Sequence, residues 1–363
     1  MLNNDELAIL WLDVFEFLTI NKKQDLVRLF ESPSELYENF TSKHDEILRL
    51  ITPYQYDKMV RMKNVETLNK YLKYLEDSKI KFTTFCSQDY PNFLFDYDHF
   101  PLILYYKGDL DLLNTTCVGV VGTRKCTRYG ERITEKYCEK LVQNGVTIVS
   151  GFAEGIDSIA SKTAIKNNGK TIAIIGSGLN CLYPKSNTKF SEEVAKKGLI
   201  MSEYPPYMQA QTFHFPQRNR LIAACSSCVL ITEAGIKSGV MYTKDYALEY
   251  GKEVFVVPGN IDNESSKGTN AIIKSLQGSI TLDPTDILEF LSIQDSNVII
   301  DNDKEKGLSQ EQQMILDCIG GNEVHFNEIQ IKTKLDTKYL LTLLTTMELN
   351  GLIKKLAGNY YAR

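Results

Sequence analysis

The chain has few histidines, one tryptophan and no long apolar segment, so it lacks features that many enzymes and membrane proteins depend on. Its 363 residues include four histidines and one tryptophan, and no segment approaches the roughly 20 consecutive apolar residues of a membrane span. The amino-terminal segment lacks the basic region and small-residue cleavage site of a signal peptide, so we expect a cytoplasmic protein. Neither GxGxxG nor GxxxxGK[ST] occurs as a nucleotide-binding loop. No Ser-His-Asp or Cys-His set can be proposed, so the sequence predicts no catalytic residue.

Cysteine is present, but it does not form a framework. Eight cysteines are scattered through the predicted strands and helices, which indicates reduced thiols. Cys225 and Cys228 form a CxxC motif, yet no second pair follows and the motif leads into an apolar strand. We expect both to be buried structural residues, and the sequence predicts no metal and no cofactor.

The chain also lacks an overall excess of cations. A net charge of −5 argues against a nucleic-acid-binding protein that works by bulk charge. The charges are unevenly distributed, however, because the segment 117–292 has a small basic excess and its flanks are acidic. This distribution is compatible with a local phosphate-binding face in a central domain.

The pattern of apolar and polar residues predicts three domains and a linker. Residues 1–80 have apolar positions at helical spacing and predict a small helical domain, and residues 81–292 predict an α/β domain. The acidic stretch 293–307 is typical of a linker, and residues 308–363 predict three helices and a hairpin, as in a winged helix-turn-helix. Within the second domain, residues 82–109 are extended, aromatic and interrupted by proline, so we interpret them as a connector.

From residue 117 onward, short apolar segments alternate with helices. This alternation predicts a doubly wound α/β fold whose parallel, Rossmann-like sheet is covered on both faces. Ligands of such sheets bind beyond the carboxyl ends of the strands, and those ends are rich here in glycine and small hydroxyl residues. We therefore predict one phosphate-binding crevice, lined by backbone amides and by Arg124, Lys185, Arg218 and Arg220.

The most specific signal is the run FHFPQRNRLIAACSS, from Phe213 to Ser227. It predicts a helix whose first turn contains Arg218 and Arg220. Cations at a helix amino terminus are unfavourable by up to about 1 kcal/mol each, and an anionic ligand would offset this cost. The alternative is a pair of buried salt bridges, to Glu203 or Glu233, and the residues alone leave both interpretations open.

Eight ordered motifs carry a resemblance to a known family. They are VGTRKCTRYG, SGFAEGIDSIA, TIAIIGSGLNCLYPKSN, MSEYPP, FPQRNRLIA, EAGIKSGVMYT, VFVVPGN and GTNAIIKSL. Together they resemble the DNA-processing protein A family, also called DprA or Smf, over about residues 90–290. The amino-terminal helices resemble the family's SAM-like domain, and the carboxyl-terminal residues resemble its winged-helix tail.

The resemblance implies a function and a set of contacts. Family members bind and protect single-stranded DNA without sequence preference, help to load a RecA-type recombinase during natural transformation, and act as homodimers through the α/β domain. It implies DNA or phosphate contacts from Arg124, Lys185, Arg218, Asn219 and Arg220, and a pocket shaped by Ser150, Gly151, Gly155, Ser238 and Gly239. The chain departs from the family pattern at Ser161, at Lys244 and at residues 275–277.

Other interpretations stay open. Tyr183, Phe152 and Phe215 are candidates for a base-stacking platform, although aromatic residues of this kind more often belong to a core. The protein could instead be an enzyme or sensor for a small nucleotide, with Glu233 as the acid. A third possibility is a regulator whose winged helix reads duplex DNA, but its third helix offers Lys338 and few other base-reading groups.

Overall fold

The computed structural model describes residues 2–294, 308–320, 324–349, 352–356 and 358–362. Two compact units, Met1–Gln294 and Asp295–Arg363, are described separately below. From residue 295 on, the predicted linker 293–307 lies outside the described residues. In the described part of the chain, no helix is long and apolar enough to cross a membrane.

The first unit begins with helices, as the sequence predicts, and the structure divides them into six. They are α1 (Asn4–Asp13), α2 (Ile20–Arg28), α3 (Pro33–Glu38), α4 (His44–Leu50), α5 (Pro53–Arg61) and α6 (Val65–Asp77). A capping box joins Asn3 and Glu6 at the start of α1, which satisfies backbone groups that the first turn leaves free. The core around Trp11 continues into the sheet residues Ile103 and Ala173. The domain boundary at residue 80 stays a prediction.

A nine-stranded sheet forms the centre of this unit. Its strands are β1 (Lys81–Thr84), β2 (Ile103–Gly108), β3 (Cys117–Val121), β4 (Thr147–Ser150), β5 (Thr171–Ile174), β6 (Leu199–Ser202), β7 (Cys228–Ile231), β8 (Glu253–Val256) and β9 (Ser279–Ile280), in the order β1-β2-β6-β5-β4-β3-β7-β8-β9. Strands β3 to β9 pair in parallel, and all but β9 are largely buried, which explains their apolar sequences.

The interpretation of residues 82–109 as a connector is wrong. Strand β2 pairs antiparallel with β6, and β1 pairs antiparallel with β2, so both extend the parallel sheet at one edge. The prolines that suggested a connector fall between the two strands, where they remove no ladder hydrogen bond.

Helices cover both faces of the sheet and confirm the doubly wound fold. They are α7 (Arg128–Gln143), α8 (Ile156–Lys166), α9 (Thr188–Lys197), α10 (His214–Ala224), α11 (Val240–Glu249), α12 (Lys267–Lys274) and α13 (Thr285–Phe290). Short 3₁₀ turns lie at Phe40–Lys43, Asn92–Asp96, Leu110–Asn114, Lys185–Asn187 and Glu264–Ser266.

Helix α10 begins earlier than the sequence predicts. It starts at His214, so Pro216 lies in its first turn, where the missing N–H is not needed. Arg218 and Arg220 are consequently interior residues of the helix. The argument from two cations at a helix amino terminus is therefore wrong, and the positions of the two side chains decide what they do.

The second unit has the predicted winged-helix arrangement. Its elements are α14 (Gln310–Ile319), β10 (Val324–His325), α15 (Phe326–Thr333), α16 (Thr337–Leu349), β11 (Lys354–Leu356) and β12 (Tyr360–Ala362), with strand order β10-β12-β11. Leu316, Ile329, Leu340 and Leu344 are among the residues of its separate core.

Candidate functional site

A crevice of about 890 Å³ opens where the winding of the sheet reverses direction. The chain runs from β3 through β4 and β5 to β6 and then crosses to β7 on the other side of β3. One wall consists of residues 121–124, at the end of β3 and just after it, and the opposite wall of residues 235–240, between β7 and the first residue of α11. This is the topological switch point at which doubly wound sheets bind their ligands. Helix α10 contributes Arg218 and Asn219 to the lining.

Arg218 brings to this crevice a positive charge that forms no salt bridge with another described residue. Its side chain is 3% exposed, and its Nη1 donates to the carbonyl oxygens of Gly151 and Ile174. Burial lowers the pKa of Arg218 to about 10, a shift that Asp157 opposes, so the guanidinium stays protonated at neutral pH. The salt bridges among the described residues do not include Arg218. A buried cation without an ion pair favours an anionic ligand.

Arg220, two residues along α10, has the opposite environment. Its Nη1 and Nη2 donate to Oε1 and Oε2 of Glu203 at 2.8 and 2.6 Å, and Nη2 also donates to the carbonyl oxygen of His99. Arg220 does not line the crevice. Residues two positions apart on a helix point in directions about 200° apart, so Arg218 and Arg220 lie on nearly opposite faces of α10. The prediction that Arg220 lines the crevice is therefore wrong. The two interpretations of the sequence divide between the two arginines: Arg220 forms the buried salt bridge and Arg218 faces the crevice.

The glycines after β4 allow the backbone to approach Arg218 closely. A Cβ atom on Gly151 would lie 2.7 Å from Nη2 of Arg218 and 2.6 Å from Oδ2 of Asp157. Gly155 has φ +74°, and a Cβ there would lie 2.3 Å from the carbonyl oxygen of Thr123. Ser150 is fully buried and donates to Val120. Ser150 and Gly155 thus shape the crevice from behind without lining it.

The rim opposite β3 is formed by Asn219, Ser238 and Gly239. Nδ2 of Asn219 donates to the carbonyl oxygen of Gly239 at 3.2 Å, and its Oδ1 accepts from Nε of Arg218 at 3.2 Å. Oγ of Ser238 accepts from the amide of Val240 at 3.3 Å. These contacts fix the turn before α11 against α10, so that all three residues line the crevice.

An aromatic and cationic cluster lies at the mouth of the crevice. The exposed Arg124 guanidinium lies 5.2 Å from the ring centroid of Phe215, and that ring lies 5.6 Å from the ring of Tyr183. Tyr183 is 49% exposed, so one ring can stack on a ligand. Phe152 is fully buried against Phe190, and its proposed role in a platform is wrong because its ring belongs to the core.

Lys185 lies on the far side of the loop that carries Tyr183. It does not line the crevice but a neighbouring depression beside α9, so the structure does not place it with Arg218 as the sequence predicts. The chain turns at Tyr183 and Pro184, and both line a small recess next to Arg218, whereas Lys185 does not line it.

The acidic residues at the strand ends have structural partners. Glu233 is 1% exposed, and its carboxylate accepts from the amide and the hydroxyl of Thr127, both at 2.8 Å. It does not line the crevice. Asp157 does line it, and burial raises the pKa of that carboxyl while Arg218 opposes the shift.

His214 is buried against Tyr204, with ring centroids 4.0 Å apart, and burial lowers the pKa of His214.

The two cysteines of the CxxC motif are buried, as predicted. Burial raises the pKa of Cys228 to about 12 and raises that of Cys225 as well, so both thiols are protonated at neutral pH.

The structure adds Lys237 and Tyr242 to the crevice, and Tyr242 is 52% exposed. Their place in the EAGIKSGVMYT motif, with Lys237 just before α11 and Tyr242 in its first turn, was the signal that could have identified them.

Comparisons with known proteins agree with this architecture. The family model described as DNA recombination-mediator protein A matches residues 81–292, and the model of the DprA winged helix domain matches residues 301–359. DNA processing protein DprA of Streptococcus pneumoniae is 41% identical over 212 residues, which are 58% of this chain and 75% of that protein. Protein Smf of Escherichia coli K12 is 34% identical over 283 residues, which are 76% of this chain and 75% of that protein.

Solved structures show the same relationship. The X-ray structure of DprA from Streptococcus pneumoniae matches with a TM-score of 0.66 and 32% identity, and the match covers 79% of this chain and 98% of that one. The structure of DNA processing protein A from Helicobacter pylori, described for its single-stranded DNA binding mode, matches with a TM-score of 0.53 and 33% identity over 58% of this chain and 95% of that one. Sequence, fold and both domain models thus agree that this chain belongs to the DNA-processing protein A (DprA/Smf) family.

Proposed function

We propose that this protein binds single-stranded DNA without sequence preference, and that the strand enters the crevice between β3 and β7. The observation that carries the proposal is the buried charge of Arg218, which no carboxylate among the described residues neutralises by a salt bridge. A phosphate in the crevice would supply the direct ion pair that the nearby Asp157 does not form, and arginine's planar guanidinium matches phosphate geometry. The Helicobacter pylori relative, described by its single-stranded DNA binding mode, supports the same assignment.

The cluster at the mouth supports a single strand in preference to a duplex. Bases of a single strand are free to stack on aromatic rings, and such stacking contributes about 1–3 kcal/mol per base whatever the base is. Tyr183 and Phe215 offer the rings, and Arg124 offers a charge beside them. Every base has a π-face that can stack on these rings, so we expect little sequence preference.

Anisotropy of a fluorescent oligo-dT tests the proposal. Arg124→Ala removes an exposed charge, so the fold should survive, and loss of one charge-assisted contact of about 1.5–3 kcal/mol should weaken binding roughly 10- to 100-fold. Tyr183→Ala should weaken binding by a similar factor. Arg132→Ala is the matched control, because Arg132 is an exposed arginine on α7 that does not line the crevice. Equal affinity of Arg124→Ala and Arg132→Ala would contradict the proposed site.

The alternative of a nucleotide-hydrolysing enzyme has less support. Its proposed acid, Glu233, has both carboxylate oxygens engaged by Thr127 and does not line the crevice. A general acid must lie within hydrogen-bond reach of its substrate. Turnover of a nucleoside monophosphate that Glu233→Gln abolishes would restore this alternative.

We further propose that the protein protects the bound strand and promotes loading of a RecA-type recombinase in natural transformation. The family model's description as a recombination mediator supports this step. The test follows DNA-dependent ATP hydrolysis by a RecA-type recombinase on oligo-dT coated with single-strand-binding protein. We expect the wild type to raise the rate and Arg124→Ala to fail, and no stimulation by a DNA-binding wild type would contradict the proposal.

We also propose a homodimer through the α/β unit. Leu276, Ile280 and Leu282 are apolar and 91, 52 and 72% exposed, and they lie in and beside the edge strand β9. An exposed apolar sheet edge favours association with a second copy. Sedimentation velocity should show a dimer that Leu282→Glu converts to monomer, whereas a monomeric wild type would contradict the proposal.

A further inference from the structure

A second depression, of about 940 Å³, lies on the other side of the loop at residues 179–188. We call it the lysine groove, because five lysines and a single acidic residue, Glu192, line it. The lysines are Lys79, Lys81, Lys107, Lys185 and Lys196. Among the described residues, the salt bridges include none of these five. The groove therefore carries a net positive charge that the protein does not neutralise.

One face of α9 forms the floor of the lysine groove along its whole length. The lining residues Thr188, Ser191, Glu192, Ala195 and Lys196 follow the i, i+3, i+4, i+7, i+8 spacing of a single helical face. Ten helical residues span about 15 Å, so the groove is long enough to accompany an extended chain past several charges.

The opposite wall brings further lysines to the groove from the sheet edge. Lys81 begins β1 and Lys107 lies near the end of β2, and they occupy neighbouring register positions because Lys81 pairs with Tyr106. Burial lowers the pKa of Lys107, Glu192 opposes this shift, and Lys79 adds to it. Lys79 and Lys107 thus lie close enough to repel each other, which an anionic ligand would relieve.

The loop at residues 179–188 separates the lysine groove from the crevice and contributes to both. Tyr183 lines the crevice, and both Tyr183 and Pro184 line the recess beside Arg218, whereas the next residue, Lys185, lines the groove. A strand that stacks on Tyr183 therefore lies two residues along the chain from Lys185, a lysine of the groove.

We propose that the lysine groove binds the sugar-phosphate backbone of the same single strand after it leaves the crevice over Tyr183. This inference rests on the proposed function of the crevice. Lysine ammonium groups are point charges that attract phosphates without demanding a fixed geometry, which suits a strand of any sequence. Asn180, Thr188 and Gln209 add hydrogen-bonding groups along the same path. The site is thus longer than the crevice, with a base-stacking part and a charge-tracking part.

The test compares oligo-dT lengths from about 4 to 16 nucleotides, the range of single-strand site sizes. The triple variant K79Q/K81Q/K196Q removes three exposed charges and should leave the fold intact, as circular dichroism checks. We expect wild-type affinity to rise with length beyond what the crevice holds, and the variant's rise to stop earlier. The slope of log K against log salt for the longest oligonucleotide should fall by about 2, at about 0.7 per lost phosphate contact.

The matched control is K70Q/K166Q/K274Q, which removes three exposed lysines of the same unit outside both cavities. Control and groove variants with the same length dependence and salt slope would overturn the proposal, because general charge would then explain the effect. A groove variant that weakens the shortest oligonucleotide as much as the longest would overturn it too. Failure of the crevice is distinguishable: Arg124→Ala would then bind the shortest oligonucleotide as tightly as Arg132→Ala, whereas failure of the groove alone leaves that difference in place.

Discussion

The buried pair of Arg220 and Glu203 gives the sharpest prediction about stability. The side chains are 8% and 6% exposed and are joined by two hydrogen bonds of 2.8 and 2.6 Å. Glu203→Gln keeps the shape of the side chain but leaves the arginine charge buried without a partner. Removing one partner of a buried pair costs about 3–5 kcal/mol. We expect the lower end of this range, because the carbonyl oxygens of His99 and Gln217 still accept from Arg220.

The chain offers a built-in assay for this prediction. Its single tryptophan, Trp11, is 1% exposed in the core of the first unit, so its fluorescence reports the unfolding of that unit by urea. Glu203→Gln should lower the free energy of unfolding by about 3 kcal/mol, a large part of the 5–15 kcal/mol typical of a domain. Replacing both residues, as in Arg220→Met with Glu203→Leu, should recover most of the loss, since no charge is then left unpaired.

Two results would refute this reasoning. If Glu203→Gln unfolds at the same urea concentration as the wild type, the pair does not stabilise the fold. If the variant keeps its stability but binds oligo-dT with a changed affinity, Arg220 belongs to the DNA site, as the sequence first suggested. The contrast with Arg124→Ala, which should lose binding and keep stability, separates a structural arginine from a binding one.

Two further predictions concern the backbone and a departure from the family pattern. Gly155→Ala should destabilise the first unit by about 3–5 kcal/mol, through backbone strain and a 2.3 Å contact of the new Cβ atom. The control Gly145→Ala, with a similar φ of +79° and open space around it, should cost about 1–2 kcal/mol. Equal losses of unfolding free energy in urea would contradict the close approach at Gly155. Lys244 and Gln277 both depart from the family pattern, and Nζ of the buried Lys244 donates to Oε1 of Gln277 at 2.8 Å. A double-mutant cycle to alanine should therefore give a coupling free energy of about 1 kcal/mol. Additive effects on the free energy of unfolding would show that the two residues are independent.

The parallel part of the fold could be predicted from the sequence because each strand is apolar on both faces. Segments such as 117–121 and 228–231 can only be buried on both sides, and their alternation with helices leaves few other topologies. The edge strands β1 and β2 could not be predicted in the same way. They are short, and their position depends on the antiparallel pairing of β2 with β6, a contact between segments about 95 residues apart that no local pattern records.

The crevice could be predicted only in part, and the limit is set by the direction in which side chains point. The rule that strand ends converge correctly brings Arg124 and Gly151 together, because it depends on topology alone. It cannot tell which of Arg218 and Arg220 faces the crevice, because the two residues share a motif and a helix. That decision requires knowing which face of α10 each residue occupies. Because α10 begins at His214, the argument from the helix dipole does not apply to Arg218. An anion site is still favoured, because a buried guanidinium without a salt bridge favours a phosphate at any position along a helix. The identity of the binding arginine is thus a property of packing, and the affinity of Glu203→Gln for oligo-dT tests it: an unchanged affinity leaves Arg220 outside the DNA site.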